Sequence, residues 1–353
     1  MATDLIPREV HLDSADAEFW RRYHAFRRAR WEEVRPEDPV MPDDVDRDRI
    51  VSGLKYEIND AFEVLDGDKM VSWLRTAVTR PDAPGYESNR YFLWTTFSVL
   101  ASHRRRGIGR AHLPLVLEVM DRHGCHTVSF ESEEESGHAF LNWLGAEKKS
   151  EGAENRLHIP DVDWAMMRRW IDEGAQRSPQ TRLEVYDDHI PEAMLEEFAP
   201  QLQALMNTMP WDDLDHGEIT ITPQMLRDDY QRWDAGGLKH HTVLTREPDG
   251  VISGMTDLSW APYRPTILVQ FFTGVRPEAR GRGIGKWIKA YMLVRMHELY
   301  PDVEWVSTGN ADSNGPMLAI NKRMGFKRHR WGAEYQMSRE RLAERIEELV
   351  AKA

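Results

Sequence analysis

Residues 275–286 read V-R-P-E-A-R-G-R-G-I-G-K, and their types and spacing suit the binding of an anion. Gly281, Gly283 and Gly285 let the backbone curl until successive N–H groups converge. The turn follows a β-rich run at 266–274, T-I-L-V-Q-F-F-T-G, and opens a helix in which Ile284, Ile288, Tyr291, Met292 and Leu299 share a face. Converging N–H groups at a helix N-terminus, where the dipole favours negative charge, read as a phosphate site. Two phosphate motifs are excluded. Trp287 stands where a Walker loop needs Ser or Thr for magnesium, and Lys286 falls where G-x-G-x-x-G needs its third glycine. What remains is R-x-x-G-x-G, here Arg280, Gly283 and Gly285, with Arg282 and Lys286 adding charge.

The elements that must position this turn occur twice. Residues 99–109 read V-L-A-S-H-R-R-R-G-I-G, so Val99, Arg104, Arg106, Gly107, Ile108 and Gly109 repeat Val275, Arg280, Arg282, Gly283, Ile284 and Gly285 at an offset of 176 residues. Arg105 and Arg110 belong to the same candidate phosphate run. An offset of half the chain signals duplication. A length of 353 residues fits two domains of ~150–180 residues each, and the boundary is placed near Ser178, giving 1–178 and 179–353. Each half predicts a strand (8–12, 182–186), a helix (16–33, 191–206) and an acidic, proline-containing loop (36–48, 209–218). Strands at 55–65, 70–78, 239–245 and 251–260 follow, then the motif strand and motif helix. Strands at 126–130 and 303–307, helices at 136–144 and 314–324, a strand (157–159, 334–337) and a helix (163–175, 338–352) close each half.

R-x-x-G-x-G with this flanking order resembles the GNAT superfamily of N-acyltransferases, and the chain looks like a tandem of two copies, an architecture similar to mycothiol synthase. The resemblance implies an α/β fold of two GNAT-like domains, each a mixed central sheet flanked by helices. It also implies that the loop cradles the pyrophosphate of acetyl-CoA while the motif strand pairs with the pantetheine arm. The run 308–326, T-G-N-A-D-S-N-G-P-M-L-A-I-N-K-R-M-G-F, resembles the family's next motif, so Asn310 and Asn314 are assigned to cofactor contact; Asn314 could instead cap a helix. Asn321 occupies the position where many members carry the tyrosine that protonates the leaving thiolate, and an amide cannot supply that proton.

An amine acceptor must lose a proton before it attacks a thioester. Asp257, on the strand beside the motif strand, is the candidate base, with His240, His241, Asp212, Asp213 and His216 as alternatives. Tyr335 is the candidate acid, with Tyr291, water or direct release of the thiolate as alternatives. The backbone near Val275 is assigned to the oxyanion. Trp211, Asp212 and Asp213 lie in the loop that the family usually places over its acceptor, so a small cationic amine is expected. The first half reads as degenerate or limited to cofactor binding: Pro114 interrupts its motif helix and Trp73 stands where the second half has Gly254. Two other activities remain open, a mycothiol-synthase-like acyltransferase on an amino-sugar conjugate and a non-catalytic acyl-CoA sensor.

A net charge of −13 argues against nucleic acid, whose phosphates need a basic field, although Arg104, Arg105 and Arg106 form a short basic run. No window approaches 18 apolar residues and the N-terminus lacks a signal-peptide pattern, so a cytoplasmic protein without a membrane partner is expected. A single cysteine, Cys125, offers neither a disulfide nor a metal cluster.

Overall fold

The computed structural model describes residues 5–351; Lys352, the last residue of the expected final helix, lies outside them. In chain order the elements are β1 (Arg8–Val10), α1 (Ala17–Val34), α2 (Asp43–Gly53), β2 (Glu57–Asp66), β3 (Lys69–Thr79), α3 (Tyr86–Asn89), β4 (Phe92–Val99), α4 (Ile108–His123), β5 (Thr127–Ser132), α5 (Glu135–Leu144), β6 (Glu147–His158) and α6 (Trp164–Arg177). The second half supplies β7 (Arg182–Tyr186), α7 (Leu195–Met206), α8 (Pro223–Ala235), β8 (Lys239–Arg246), β9 (Ile252–Trp260), β10 (Ile267–Val275), α9 (Ile284–Leu299), β11 (Trp305–Ala311), α10 (Gly315–Met324), β12 (Lys327–Ser338) and α11 (Arg339–Ala351). The α/β class and the repeated plan agree with the sequence. Helices α2 and α8 were not anticipated: their segments are rich in Asp and Pro, and Pro42 and Thr222 mark starts rather than loops, Thr222 accepting the Met225 N–H.

The chain divides into two compact units, and the division does not follow residue 178. Unit 1 gathers the chain through Ser150, Asp213–Glu218 and the chain from Gly332 onward; unit 2 gathers Glu151–Asp212 and Ile219–Trp331. Within unit 1 the strands run β1-β2-β3-β4-β5, and β5 then takes the end of β12, with Tyr335 opposite Phe130. Within unit 2 they run β7-β8-β9-β10-β11, and β11 takes β6, with Leu157 opposite Val306. Each half of the sequence therefore gives its last strand and helix to the other unit. The reason is packing. Helix α6 lies antiparallel against α9, with Trp164 stacked on His297 at 4.4 Å and Gly174 so close to Trp287 that an added Cβ would sit 2.5 Å away. In unit 1, α11 runs along α4 in the same way, Arg339 bonding Asp121 and Arg110 bonding the Leu349 carbonyl.

In both units the motif strand parts from its parallel neighbour. Strand β4 pairs with β5 only from Phe92 to Trp94, and β10 pairs with β11 only from Ile267 to Gln270. Past those points β4 and β10 stay paired on their other edge alone, to β3 and β9. The two strand edges facing each opening are free to meet a ligand.

The register corrects one sequence correspondence. Val275 lies opposite Gly254 and Val99 opposite Ser72, so the counterpart of Gly254 is Ser72, not Trp73. Trp73 packs instead among Phe19 and Tyr23 in the unit 1 core. A slip of one residue along a strand moves the side chain to the opposite face.

Tyr335 is fully buried in unit 1, its hydroxyl 3.0 Å from His138 Nδ1 on α5, and so stands outside the unit that holds residues 275–286. Tyr335→Phe is expected to lower unfolding stability by about 1–2 kcal/mol, as loss of a buried hydrogen bond does. Acyl transfer should stay within about two-fold of wild type, since sites without shared partners couple by only about 0.3–0.5 kcal/mol. Denaturant unfolding and initial rates check both; a rate loss beyond ten-fold would restore Tyr335 as the acid.

Candidate active site

Strand β10 ends at Val275, a short 3-10 turn covers Pro277–Ala279, and Gly281 and Gly283 follow at φ of 80° and 85°. Those left-handed positions are why glycine is needed there. Gly283 caps α9 without a side-chain bond, and the Trp287 N–H is the first to bond back, to the Gly283 carbonyl. The N–H groups of Ile284, Gly285 and Lys286 are left without intrahelical partners, as expected for the first turn of a helix. Gly285 keeps the turn close to α10: an added Cβ would stand 3.3 Å from Ile320.

The two motif arginines have structural roles. Arg280 Nε donates to the Val275 carbonyl at 3.1 Å, and Arg104 Nε donates to the Val99 carbonyl at 3.2 Å, so in each unit this residue secures the end of the motif strand. Arg282 reaches Glu247, Thr181 and Ser178, tying the chain after α6 to the loop. Its counterpart Arg106 faces Asp66 at 3.8 Å.

Around the turn the two units differ. In unit 2, among the described residues, no carboxylate pairs with Arg280, Lys286 or Arg323; the latter two lie over the Trp170 ring at 5.5 and 5.0 Å. In a chain of net charge −13, cations left unpaired beside free N–H groups fit a polyanion. In unit 1, Arg104 is held by Glu134 at 2.7 Å and by Ser136, and Arg110 by the Leu349 carbonyl. Arg105 occupies the place of Gly281 with a φ of 62°, which strains a residue with a side chain by roughly 1–2 kcal/mol. Helix α4 continues through Pro114.

The opening in unit 2 carries an irregularity that unit 1 lacks. The ladder between β9 and β10 shifts register between Gln270 and Thr273, whereas β3 and β4 pair evenly from Ser72–Val99 to Ala77–Trp94. Asp257 fixes the bulge: its Oδ1 accepts the Phe272 N–H at 2.7 Å and its Oδ2 lies 2.9 Å from His240 Nε2. A carboxylate accepts, so His240 donates from Nε2 and carries its lone pair on Nδ1. That Nδ1 is buried without a hydrogen-bond partner. Trp233 covers the ring at 4.4 Å, Phe271 is 53% exposed with its ring 6.4 Å away, and burial pushes the carboxyl of Asp229 on α8 above its ordinary range. His241 instead bonds Tyr300 at 2.8 Å, and burial lowers its pKa to about 4.

Sequence reading missed Lys289. It is fully buried on α9, lies 5.4 Å over the Phe326 ring and donates to Gln270 Oε1. Gln270 donates onward to the Thr256 hydroxyl at 2.9 Å, which is 2.7 Å from that of Thr273, so a polar chain runs from the ammonium to both ends of the bulge. The available signal was a lysine inside a helix buried on two faces, since Trp287 and Ala290 are covered as well as Ile284 and Ile288. Leu299, assigned to the apolar face, is exposed.

Asn314 caps α10 by accepting the Met317 N–H at 3.4 Å, and Asn310 Oδ1 accepts from Asn321 Nδ2 at 2.7 Å. The acidic loop divides. Trp211 and Asp212 stay with unit 2, while Asp213–Glu218 joins unit 1, where Gln336 accepts the Asp215 N–H at 2.9 Å and Asn89 accepts the Gly217 N–H at 3.0 Å. The strand irregularity at 270–273 also stands well before Val275, where the oxyanion contact was expected.

Burial alone lowers the Lys289 pKa to about 7. Between pH 7 and 10 the unfolded chain then binds more protons than the folded one, so this residue makes stability rise with pH. Denaturant unfolding at pH 7.5 and 9.5 should show a slope larger in wild type than in Lys289→Met, by up to about 1 kcal/mol per pH unit. Equal slopes would show that Lys289 is charged in the folded protein throughout that range.

The acetyltransferase (GNAT) family model matches residues 16–145, which fall in the half expected to be degenerate. No curated protein sequence matches the chain. Among solved structures, a tandem GNAT protein from the clavulanic acid biosynthesis pathway, without acetyl-CoA, is similar with a TM-score of 0.69 and 20% identity, over 94% of this chain and 98% of that one. A GCN5-related N-acetyltransferase from Sphaerobacter thermophilus aligns with a TM-score of 0.57 and 14% identity, over 95% of each chain. The GCN5-related glucosamine N-acetyltransferase region of a fungal multi-domain GH3 β-N-acetylglucosaminidase aligns with a TM-score of 0.61 and 15% identity, over 94% of this chain and 38% of that one. No helix among the described residues is long and apolar enough to cross a membrane. Residues 16–145 thus match the GNAT acetyltransferase family model, and nearly the whole chain is similar in fold to tandem and single-chain GNAT structures.

Proposed function

We propose that unit 2 is an acetyl-CoA-dependent N-acetyltransferase for a small, cationic primary amine, working by direct attack in a ternary complex. The observation that carries this reading is the bulge of β10, held by Asp257, with His240 Nδ1 left free beside it. Acetyl-CoA, when bound, supplies an activated acetyl thioester. The unpartnered N–H groups of residues 284–286, with Arg280 and Lys286, suit its diphosphate, and the free edge of β10 past Gln270 suits its pantetheine amides. Asn310 near the end of β11 and Asn314 at the cap of α10 are the further cofactor contacts in this reading.

His240 takes the proton of the acceptor ammonium at Nδ1 while Asp257 holds the other ring nitrogen and stabilises the imidazolium. The amine nitrogen bonds to the acetyl carbon, the carbon–sulfur bond breaks, and the departing thiolate takes the second proton from the nitrogen, leaving the amide and the CoA thiol. Asp257 acts as the orienting partner because both of its oxygens are already engaged. The exposed ring of Phe271 suits a cation on the acceptor side, with Trp211 and Asp212 as further contacts from the same unit.

A second reading places transfer in unit 1, and the family match over residues 16–145 favours it. A paired substitution separates the two. Gly107 and Gly283 have φ of 84° and 85°, so alanine imposes the same backbone strain on both, and at Gly283 the added Cβ also stands 3.3 Å from Arg177 Nη1. Gly283→Ala is expected to raise the KM for acetyl-CoA about ten-fold or more, the size of one charge-assisted hydrogen bond, while Gly107→Ala leaves it near wild type. The reverse result assigns catalysis to unit 1. Using a panel of polyamines, amino sugars and amino-acid esters, His240→Gln and Asp257→Asn should each lower kcat by about 100-fold or more without raising that KM. Unchanged kcat in both would remove the pair from the mechanism.

A further inference from the structure

Helix α6 brings a cation to the glycine turn that the sequence motif does not contain. Trp170, Gly174 and Arg177 lie at i, i+4 and i+7, one stripe of α6, and that stripe faces α9. Gly174 meets Trp287, and Arg177 Nη1 stands 3.3 Å from where a Cβ on Gly283 would be. Arg177 is half-exposed, and its pairing with Glu173 is long, at 3.4 Å. Trp170 at the other end of the stripe is buried and lies beneath Lys286 and Arg323. An ammonium and two guanidinium groups thus border the outer side of a turn whose free N–H groups already suit a diphosphate.

The diphosphate does not use up the charge of the nucleotide. The remaining anion of CoA is the phosphomonoester on its ribose 3′-oxygen, a dianion near neutral pH and a group that a guanidinium fork matches well. We propose that Arg177 binds this 3′-phosphate, so that α6 makes the site selective for CoA over 3′-dephospho-CoA. The inference rests on the acetyl-CoA reading of the unit 2 turn and adds to it a selecting group from outside the motif. Arg282 is not part of this set, because Glu247 neutralises it.

Isothermal titration of the full chain with CoA and with 3′-dephospho-CoA tests the assignment without turnover. Wild type should bind CoA at least ten-fold more tightly. Arg177→Gln should lose about ten-fold toward CoA and keep its affinity for 3′-dephospho-CoA, which also reports that the variant is folded; Arg177→Lys should recover part of the loss. Equal binding of the two nucleotides by wild type would overturn the inference while leaving the acetyl-CoA reading intact. So would a preference that survives in Arg177→Gln, or a variant that weakens both nucleotides equally. Failure of wild type to bind either nucleotide would overturn the inference together with the reading on which it rests.

Discussion

The ladder between β10 and β11 stops at Gln270–Thr308, and the candidate site depends on that interruption. Two parallel strands that stayed paired to their ends would satisfy each other's backbone groups and leave nothing for a ligand. Because they part, the rest of β10 offers an edge that runs to the turn, and the turn delivers it to the N-terminus of α9. The bulge then changes the direction of the chain inside the opening, and Asp257 holds it by accepting the Phe272 N–H. Lys289, Gln270, Thr256 and Thr273 brace it from the core side. Burying an ammonium against a neutral amide is costly, and that cost is what lowers the Lys289 pKa to about 7.

Much of this was legible in the sequence because the positions concerned have few alternatives. Gly281 and Gly283 adopt left-handed conformations that side chains resist, so R-x-x-G-x-G survives as a visible signature between a strand and a helix. The alternation of the central strands and the repeat at 176 residues gave the class and the duplication. The ownership of the last strand and helix of each half was not legible. β6 and β12 have the same pattern wherever they pair, and the fit of Gly174 against Trp287 involves residues more than a hundred positions apart. The same distance hid Arg177 from a reading based on the motif. Register was lost by a single residue at Trp73, and Tyr335 was placed by its position in the sequence rather than by the sheet it joins.

The two copies also show how a loop can keep its shape while its charges change use. Arg104 and Arg280 make the same bond to the last carbonyl of the motif strand. Around that shared bond, unit 1 has acquired Glu134, Asp66 and the Leu349 carbonyl as partners for its arginines, whereas unit 2 leaves Lys286 and Arg323 on the face of an indole. The arginines of the unit 1 loop are satisfied by groups of the protein itself, and the cations of the unit 2 loop are left for the proposed anion. Unit 1 also lacks the bulge, so its even ladder has no counterpart to Asp257 and the free nitrogen of His240.

The central claim is that one of the two turns, that of unit 2, is the acetyl-CoA site. Its most direct test is the stoichiometry of acetyl-CoA binding to the full chain by calorimetry. The account predicts one tight site per chain. Two sites of equal affinity would contradict it, because the arginines of unit 1 would then be as available to phosphate as the unpaired cations of unit 2.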